Sequence, residues 1–134
     1  MTLPSGKNKN HDEFRDGLDL FNGGRFFDAH EVLEAVWRGL PRDASSRSPR
    51  RHLRRHVRGM VQLAVAFHHE SRHNLVGGRS VLERALRNLD GADSSFPDLD
   101  LERLRCDMAD WLQHLSGTGP RPRNPQISER KLLC

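Results

Sequence analysis

The stretch His30-Glu31-Val32-Leu33-Glu34 reads H-E-x-x-E. It is one residue away from H-E-x-x-H, where two histidines one helical turn apart bind zinc and the intervening glutamate acts as base. A carboxylate oxygen is also an acceptable zinc ligand. What these groups can do depends on where they point. At about 100° per residue, Phe26, Leu33 and Trp37 fall on one side of His30, and Phe27 and Glu34 on the other. His30 and Glu34 therefore lie inside the apolar stripe of their helix, with Glu31 at its edge. A carboxylate among Phe and Trp side chains is costly unless it is paired or coordinated. Two arrangements meet that demand. His30 and Glu34, four apart on one face, satisfy each other in a structural network. Or they coordinate a divalent metal together with a further ligand.

The next helix supplies the candidates for that further ligand. Leu53, Val57, Met60, Ala64 and Phe67 form one apolar stripe, and Gln62, Ala66 and His69 lie opposite. The run from Met60 to Phe67 is apolar almost all round, which predicts a central, buried helix. Gln62 and His69 then point together into a neighbouring layer and need partners there. His30, Glu31 and Glu34 are the obvious ones. Arg51, Arg54, Arg55 and Arg58 share that broad face nearer the helix start, where cations oppose the macrodipole. Arg51, Arg55 and Arg58 are the candidates for holding an anion; the plainer alternative is a solvated arginine face.

Five helices must position these residues. Helical spacing predicts a first helix over His11–Asn22, ended by Gly23-Gly24. A second runs from Arg25 or Phe26 to Leu40 and is closed by Pro41. Residues 41–49 (PRDASSRSP) read as a loop, and Pro49 suits the first turn of the third helix, Arg50–Ser71. Asn74 is the expected N-cap of a fourth helix to Leu89, and Asp98 or Asp100 that of a fifth ending near Leu115. Residues 24–34 (GRFFDAHEVLE) align weakly with 73–83 (HNLVGGRSVLE), 49 residues on. Chance accounts for so short a match as well as a repeat does; a repeat predicts two similar helical hairpins. The expected organisation is a flexible lead over 1–10, one helical domain over 11–115, and a flexible Pro/Arg-rich tail over 116–134 ending in an apolar Leu132-Leu133.

Composition bounds the rest. The chain has 134 residues, 35% hydrophobic and 30% charged. One domain of this length has enough chain for one sizeable core. Leu occurs 18 times, Val 7 times, Ile once and Tyr never, which favours helix over sheet. No run approaches a membrane span. Cys106 and Cys134 make neither a disulfide framework nor a CxxC zinc pair. A soluble cytoplasmic protein is expected. The net charge is +4 and 19 of the 22 basic residues are Arg. That permits anionic ligands, but the arginines lack the aromatic interleaving and reading motif of a nucleic-acid binder.

The stretches 21–38 (FNGGRFFDAHEVLEAVWR) and 58–74 (RGMVQLAVAFHHESRHN) resemble the domain of unknown function family 309. Its pattern is roughly F-N-x-G-x-F/Y-F-E-A-H-E-x-L-E-x-x-W, then G-x-x-Q-L-A-V-A-x-x-H, then G-N. The resemblance covers residues 11–90. It implies an all-helical bundle of about five helices. The family has no established activity and has been described as predicted metal-dependent hydrolases on its His and Glu pattern. The motif positions here are Asn22, Gly24, His30, Glu31, Glu34, Trp37, Gln62, His69 and Asn74. Asp28 stands for the usual Glu, His73 for the usual Gly before Asn74, and Gly78 for a usual Ala. The resemblance selects His69, not His68, as the motif histidine.

Two function classes compete. In the first, a metal-dependent hydrolase or metal-binding protein, His30, Glu34 and His69 are the ligands and Glu31 is the base on a bound water. Gln62, Trp37, Asn22 and Asn74 support the site, and the arginines favour an anionic substrate. In the second, an interaction module, tetratricopeptide-like hairpins offer a groove to a peptide or partner protein; in either class the small-molecule or protein partner is unspecified. The His/Glu/Gln cluster is then a buried network that fixes helix register. A third class, RNA or DNA binding through the arginines, lacks a reading motif.

Overall fold

The computed structural model describes residues 5–42 and 51–131, with side chains from His11 on. Five α-helices account for the described regular structure: α1 Ser5–Asn22, α2 Phe26–Arg38, α3 Leu53–Ser71, α4 Leu75–Asn88 and α5 Leu101–Leu115. A single 3-10 turn, Ala92–Ser94, bends the chain between α4 and α5. The fold is all-α, as the Leu-rich composition, with one Ile and no Tyr, favours. Among the described residues no helix is long and apolar enough to cross a membrane.

The helices pack in chain order, α1 on α2, α2 on α3, α3 on α4 and α4 on α5. α3 is the central member: Val57, Met60, Val61, Leu63, Ala64, Ala66 and Phe67 are all buried. An aromatic line crosses the core. Phe21 meets Phe26 and Phe67 edge-on at 5.3 and 5.8 Å, and Phe67 meets Trp111 edge-on at 4.9 Å. Such contacts tie α1, α2, α3 and α5 together through quadrupole-favoured geometry.

Both hairpins turn in the same way. After α1, Gly24 sits at φ 80°. Its N–H bonds the Phe21 carbonyl, and the Arg25 N–H bonds Leu20. After α3, His73 sits at φ 63°. Its N–H bonds the Glu70 carbonyl, and the Asn74 N–H bonds His69. These are two Schellman caps in the register of the weak 24–34/73–83 alignment. The repeat extends to the charged pairs: His30–Glu34 in α2 corresponds to Arg79–Glu83 in α4, with closest atoms 2.9 and 3.7 Å apart. The two hairpins are thus similar in turn and in pairing, as a repeat predicts.

Asn74 caps α4 by accepting from the Gly77 N–H at 2.9 Å. Asp100 caps α5 by accepting from the Arg103 N–H. At Gly78, in place of the family's usual Ala, a Cβ would lie 3.1 Å from the Ala66 carbonyl. The missing methyl therefore lets α4 lie close against α3.

Three segments differ from their expected bounds or path. α1 begins at Ser5, within the expected lead. Its first two turns carry no apolar residue, and hydrophobic periodicity cannot mark a start that has no apolar face. The described part of the tail, residues 116–131, runs back along the body. Ile127 is buried, Leu99 and Glu129 form an antiparallel bridge, and Arg121 pairs with Glu70. Composition read this segment as mobile because its partners are distant in sequence. α3 begins at Leu53, after a turn at 51–52. Pro49, the loop over 43–50 and the apolar Leu132-Leu133 end lie outside the described residues.

Candidate functional site

α2 presents His30, Glu34 and Trp37 on one face because they recur at helical spacing. α3 presents Arg58, Val61, Gln62 and Val65 for the same reason. Together these seven residues line a cleft of about 260 Å³ between the two helices. His30 Nε2 lies 2.9 Å from one Glu34 oxygen, and Arg38 donates to the other. His30 and Glu34 each keep about a quarter of their side-chain surface. The pair is half-open, neither sealed in the core nor free in solvent.

The opposite wall is cationic. The Arg54 guanidinium lies 4.0 Å from the Trp37 ring centroid and the Arg58 guanidinium 4.9 Å. Both guanidiniums are thus within cation–π range of the indole. Neither arginine has a carboxylate partner among the described residues. The Trp37 Nε1 and Arg54 Nε donors are buried without a hydrogen-bond partner among those residues. Such orphaned donors are rare, because each carries a desolvation cost. Gln62 faces the cleft while its carbonyl oxygen accepts from Asn88 of α4 at 2.7 Å.

The expected site thus divides. His30, Glu34, Trp37 and Gln62 come together. Glu31, the expected base, is exposed on α2 and does not line the cleft. His69, the expected third metal ligand, sits in the last turn of α3 with its Nδ1 3.4 Å from the Asn74 amide nitrogen. Asn22 and Asn74 are structural: Asn22 grips the tail through Ile127, and Asn74 caps α4. Among the described residues no group of three or more His, Cys, Asp or Glu side chains is placed to hold a metal ion. The donors that do meet are bonded to each other and to Arg38. Among the described residues His69 is thus not grouped with His30 and Glu34, and no chemical step is derived through a metal. The reason is helical phase. Seven residues separate Gln62 from His69, about two turns, so one face can carry both at different heights, only one of them beside His30.

The arginine stripe is re-sorted as well. Arg55 donates to the carbonyls of Arg87, Asn88 and Asp90, and so caps the C-terminus of α4. Arg51 donates to the neighbouring His52 ring. Arg58 remains at the cleft, and Arg54 packs beside it on Trp37, missed as a site residue although its four-residue spacing from Arg58 put both on one face.

Two further polar groups escaped the sequence reading. His56 is buried on α3, with Nδ1 2.6 Å from Ser95 Oγ and Nε2 3.1 Å from the Asp90 carbonyl. A carbonyl only accepts, so Nε2 carries the proton and Ser95 donates to Nδ1. Burial, with Arg55 and His52 nearby, pushes the His56 pKa below the ordinary histidine value. Glu70 is buried at the end of α3 and accepts from Arg121 Nε and an Nη nitrogen at 3.0 and 3.2 Å. That bond raises the Arg121 pKa above its usual value.

The fold and the cleft define a class: an all-α module of two similar hairpins with a polar, arginine-walled cleft between α2 and α3. The chain belongs to the family of the domain of unknown function DUF309, which matches residues 14–81. It is 33% identical over 91 residues to the uncharacterized protein YpuF of Bacillus subtilis, covering 67% of this chain and 48% of that protein. It is 27% identical over 107 residues to an uncharacterized protein of Aquifex aeolicus, covering 80% of this chain and 28% of that one. The chain thus spans half or less of the length of these relatives. No solved structure matches it.

Proposed function

We propose that this chain is a non-enzymatic binding module whose α2–α3 cleft holds a carboxylate of its ligand. The carrying observation is the pair of guanidiniums, Arg54 and Arg58, packed on Trp37 without a carboxylate partner among the described residues. Contact with the indole limits the freedom of both side chains, so less side-chain entropy is left to lose on binding. A planar guanidinium matches a carboxylate in two parallel hydrogen bonds. Glu34 stays turned toward His30 and Arg38, which screens its charge from the incoming anion. In this reading the His30–Glu34 pair is a brace, as Arg79–Glu83 is in the second hairpin.

The test is calorimetric titration with two ligands, a small dicarboxylate and an acidic peptide. Binding of the first alone marks a small-molecule site, and binding of the second a protein-docking site. In both cases Arg58→Gln weakens binding tenfold or more with the fold intact. Elemental analysis of tag-free protein runs beside it. No binding of either ligand overturns the reading. So does near-stoichiometric metal that a folded His30→Ala/Glu34→Ala variant loses, which returns the metal-dependent hydrolase.

A further inference from the structure

Away from the cleft, the segment after α5 runs in extended form over the helical body. Its path is held at four places. Arg121 reaches the buried Glu70 carboxylate with two hydrogen bonds, and its guanidinium lies 5.0 Å from the Trp111 ring centroid. Asn22 brackets Ile127: its Nδ2 donates to the Ile127 carbonyl at 2.9 Å, and its Oδ1 accepts from the Ile127 N–H at 2.7 Å. Ile127 itself is 4% exposed. Beyond it the segment adds to residues 98–100 in strand fashion. The Asp100 N–H donates to Ser128 O, and the Arg130 N–H donates to Asp98 O.

These contacts have the form of peptide recognition. A side-chain amide that grips both the N–H and the carbonyl of one residue reads backbone and holds it extended. Strand addition at 98–100 does the same. Selectivity then rests on two side chains. A buried carboxylate at Glu70 demands a cation, since unpaired it is strongly unfavourable. The slot that buries Ile127 demands a compact apolar group. Pro120, Pro122 and Pro125 restrict the backbone of the segment, which lowers the entropy lost on docking. The two grips, Asn22 and Glu70, lie within residues 14–81 that match the family, whereas the segment they hold lies outside them.

We infer that the groove formed by Asn22, Glu70, Trp111 and residues 98–100 is a peptide-binding groove, with residues 121–130 as its intramolecular occupant. Its partner class is an extended segment of another chain with an arginine and, six residues on, a branched aliphatic residue, as at Arg121 and Ile127. The groove is separate from the α2–α3 cleft and does not depend on the function proposed for that cleft. A partner of this class reaches it by displacing the tail.

The experiment uses the full chain with a protease recognition sequence inserted between Gly119 and Pro120, ahead of the first grip. After cleavage, a fluorescent synthetic peptide of residues 120–131 is added, and anisotropy and far-UV circular dichroism are followed together. The labelled peptide is expected to exchange into the groove while the helical signal stays constant. Glu70→Gln, or Arg121→Gln in the peptide, is expected to weaken binding at least tenfold. An unrelated peptide that keeps only the arginine and the isoleucine at this spacing is expected to compete. Loss of helical signal on cleavage overturns the inference, because the tail is then part of the folded body. No exchange within a day overturns it as well. Competition by the native tail sequence alone overturns the partner class.

Discussion

His73 holds a left-handed conformation that glycine adopts freely, and its replacement by glycine tests whether the α3–α4 turn stores strain. Among the described residues it is the one non-glycine with positive φ, at 63°. That conformation costs a residue with a Cβ about 1–2 kcal/mol. Glycine relieves this but adds unfolded-chain entropy worth about 0.5–1 kcal/mol. The His73 side chain is exposed, so little packing is lost. The balance favours His73→Gly by about 0.5–1 kcal/mol, or roughly 2–5 °C in Tm for a chain of this size. The corresponding turn supplies the reciprocal test. At Gly24, φ 80°, an added Cβ meets nothing nearer than Asn124 Nδ2 at 3.7 Å. The cost of Gly24→Ala is therefore conformational and of similar size with opposite sign. Urea unfolding followed by circular dichroism reads both as midpoint shifts with an unchanged slope. His73→Ala is the control, since alanine keeps the Cβ. If alanine stabilises as much as glycine, or if glycine lowers the midpoint, the turn is not strained and the reasoning fails.

Acid provides a second test, through His56. Its folded pKa lies below the ordinary value of 6.5 because burial disfavours the charged ring, with the Arg55 and His52 charges in the same sense and Asp90 opposing. On acidification the unfolded chain takes up this proton first. The contribution is therefore present above about pH 6.5 and is lost as pH falls toward the folded pKa; a His56→Gln variant loses that part of the slope in denaturant melts. Gly17→Ala is expected to destabilise by about 1–2 kcal/mol despite better helix propensity, because the new Cβ falls 2.5 Å from Leu33 Cδ2. In a Leu33→Ala background the same change becomes neutral or favourable, and an unchanged penalty would falsify the packing argument. Glu34→Ala is expected to cost no more than about 1 kcal/mol, since its ion pairs are partly open to solvent; a loss of several kcal/mol in thermal melts makes the pair a core element.

Much of the fold was legible because it rests on local rules. The stripe Phe14, Leu18, Phe21 announced α1, and Gly23-Gly24 its end. Asn74 announced the start of α4 by cap chemistry, and Asp98 or Asp100 that of α5, of which the structure uses Asp100. The all-round apolar run Met60–Phe67 announced the central helix. Even the alignment of 24–34 with 73–83 carried a real turn geometry, although the residue at the turn differs. The site was half legible. Periodicity alone placed His30, Glu34 and Trp37 on one face of α2, and Gln62 with His69 on one face of α3.

The rest required the third dimension. A helical projection fixes the angle of a side chain about its own axis, but not its height against a neighbouring helix. That height separates His69, which lies in the last turn of α3 beside Asn74, from the cleft. It also gives Arg55 to the end of α4 and leaves Arg54 and Arg58 on Trp37. The tail shows the same limit more sharply. Asn22 and Ile127 are far apart in the chain, as are Glu70 and Arg121, and no local propensity links them. The sequence by itself determined the helices, their caps and the polar residues within their apolar faces, because those follow from neighbours one turn away. Tertiary structure alone decided which of those polar residues meet, because that depends on how helices slide and where the chain returns.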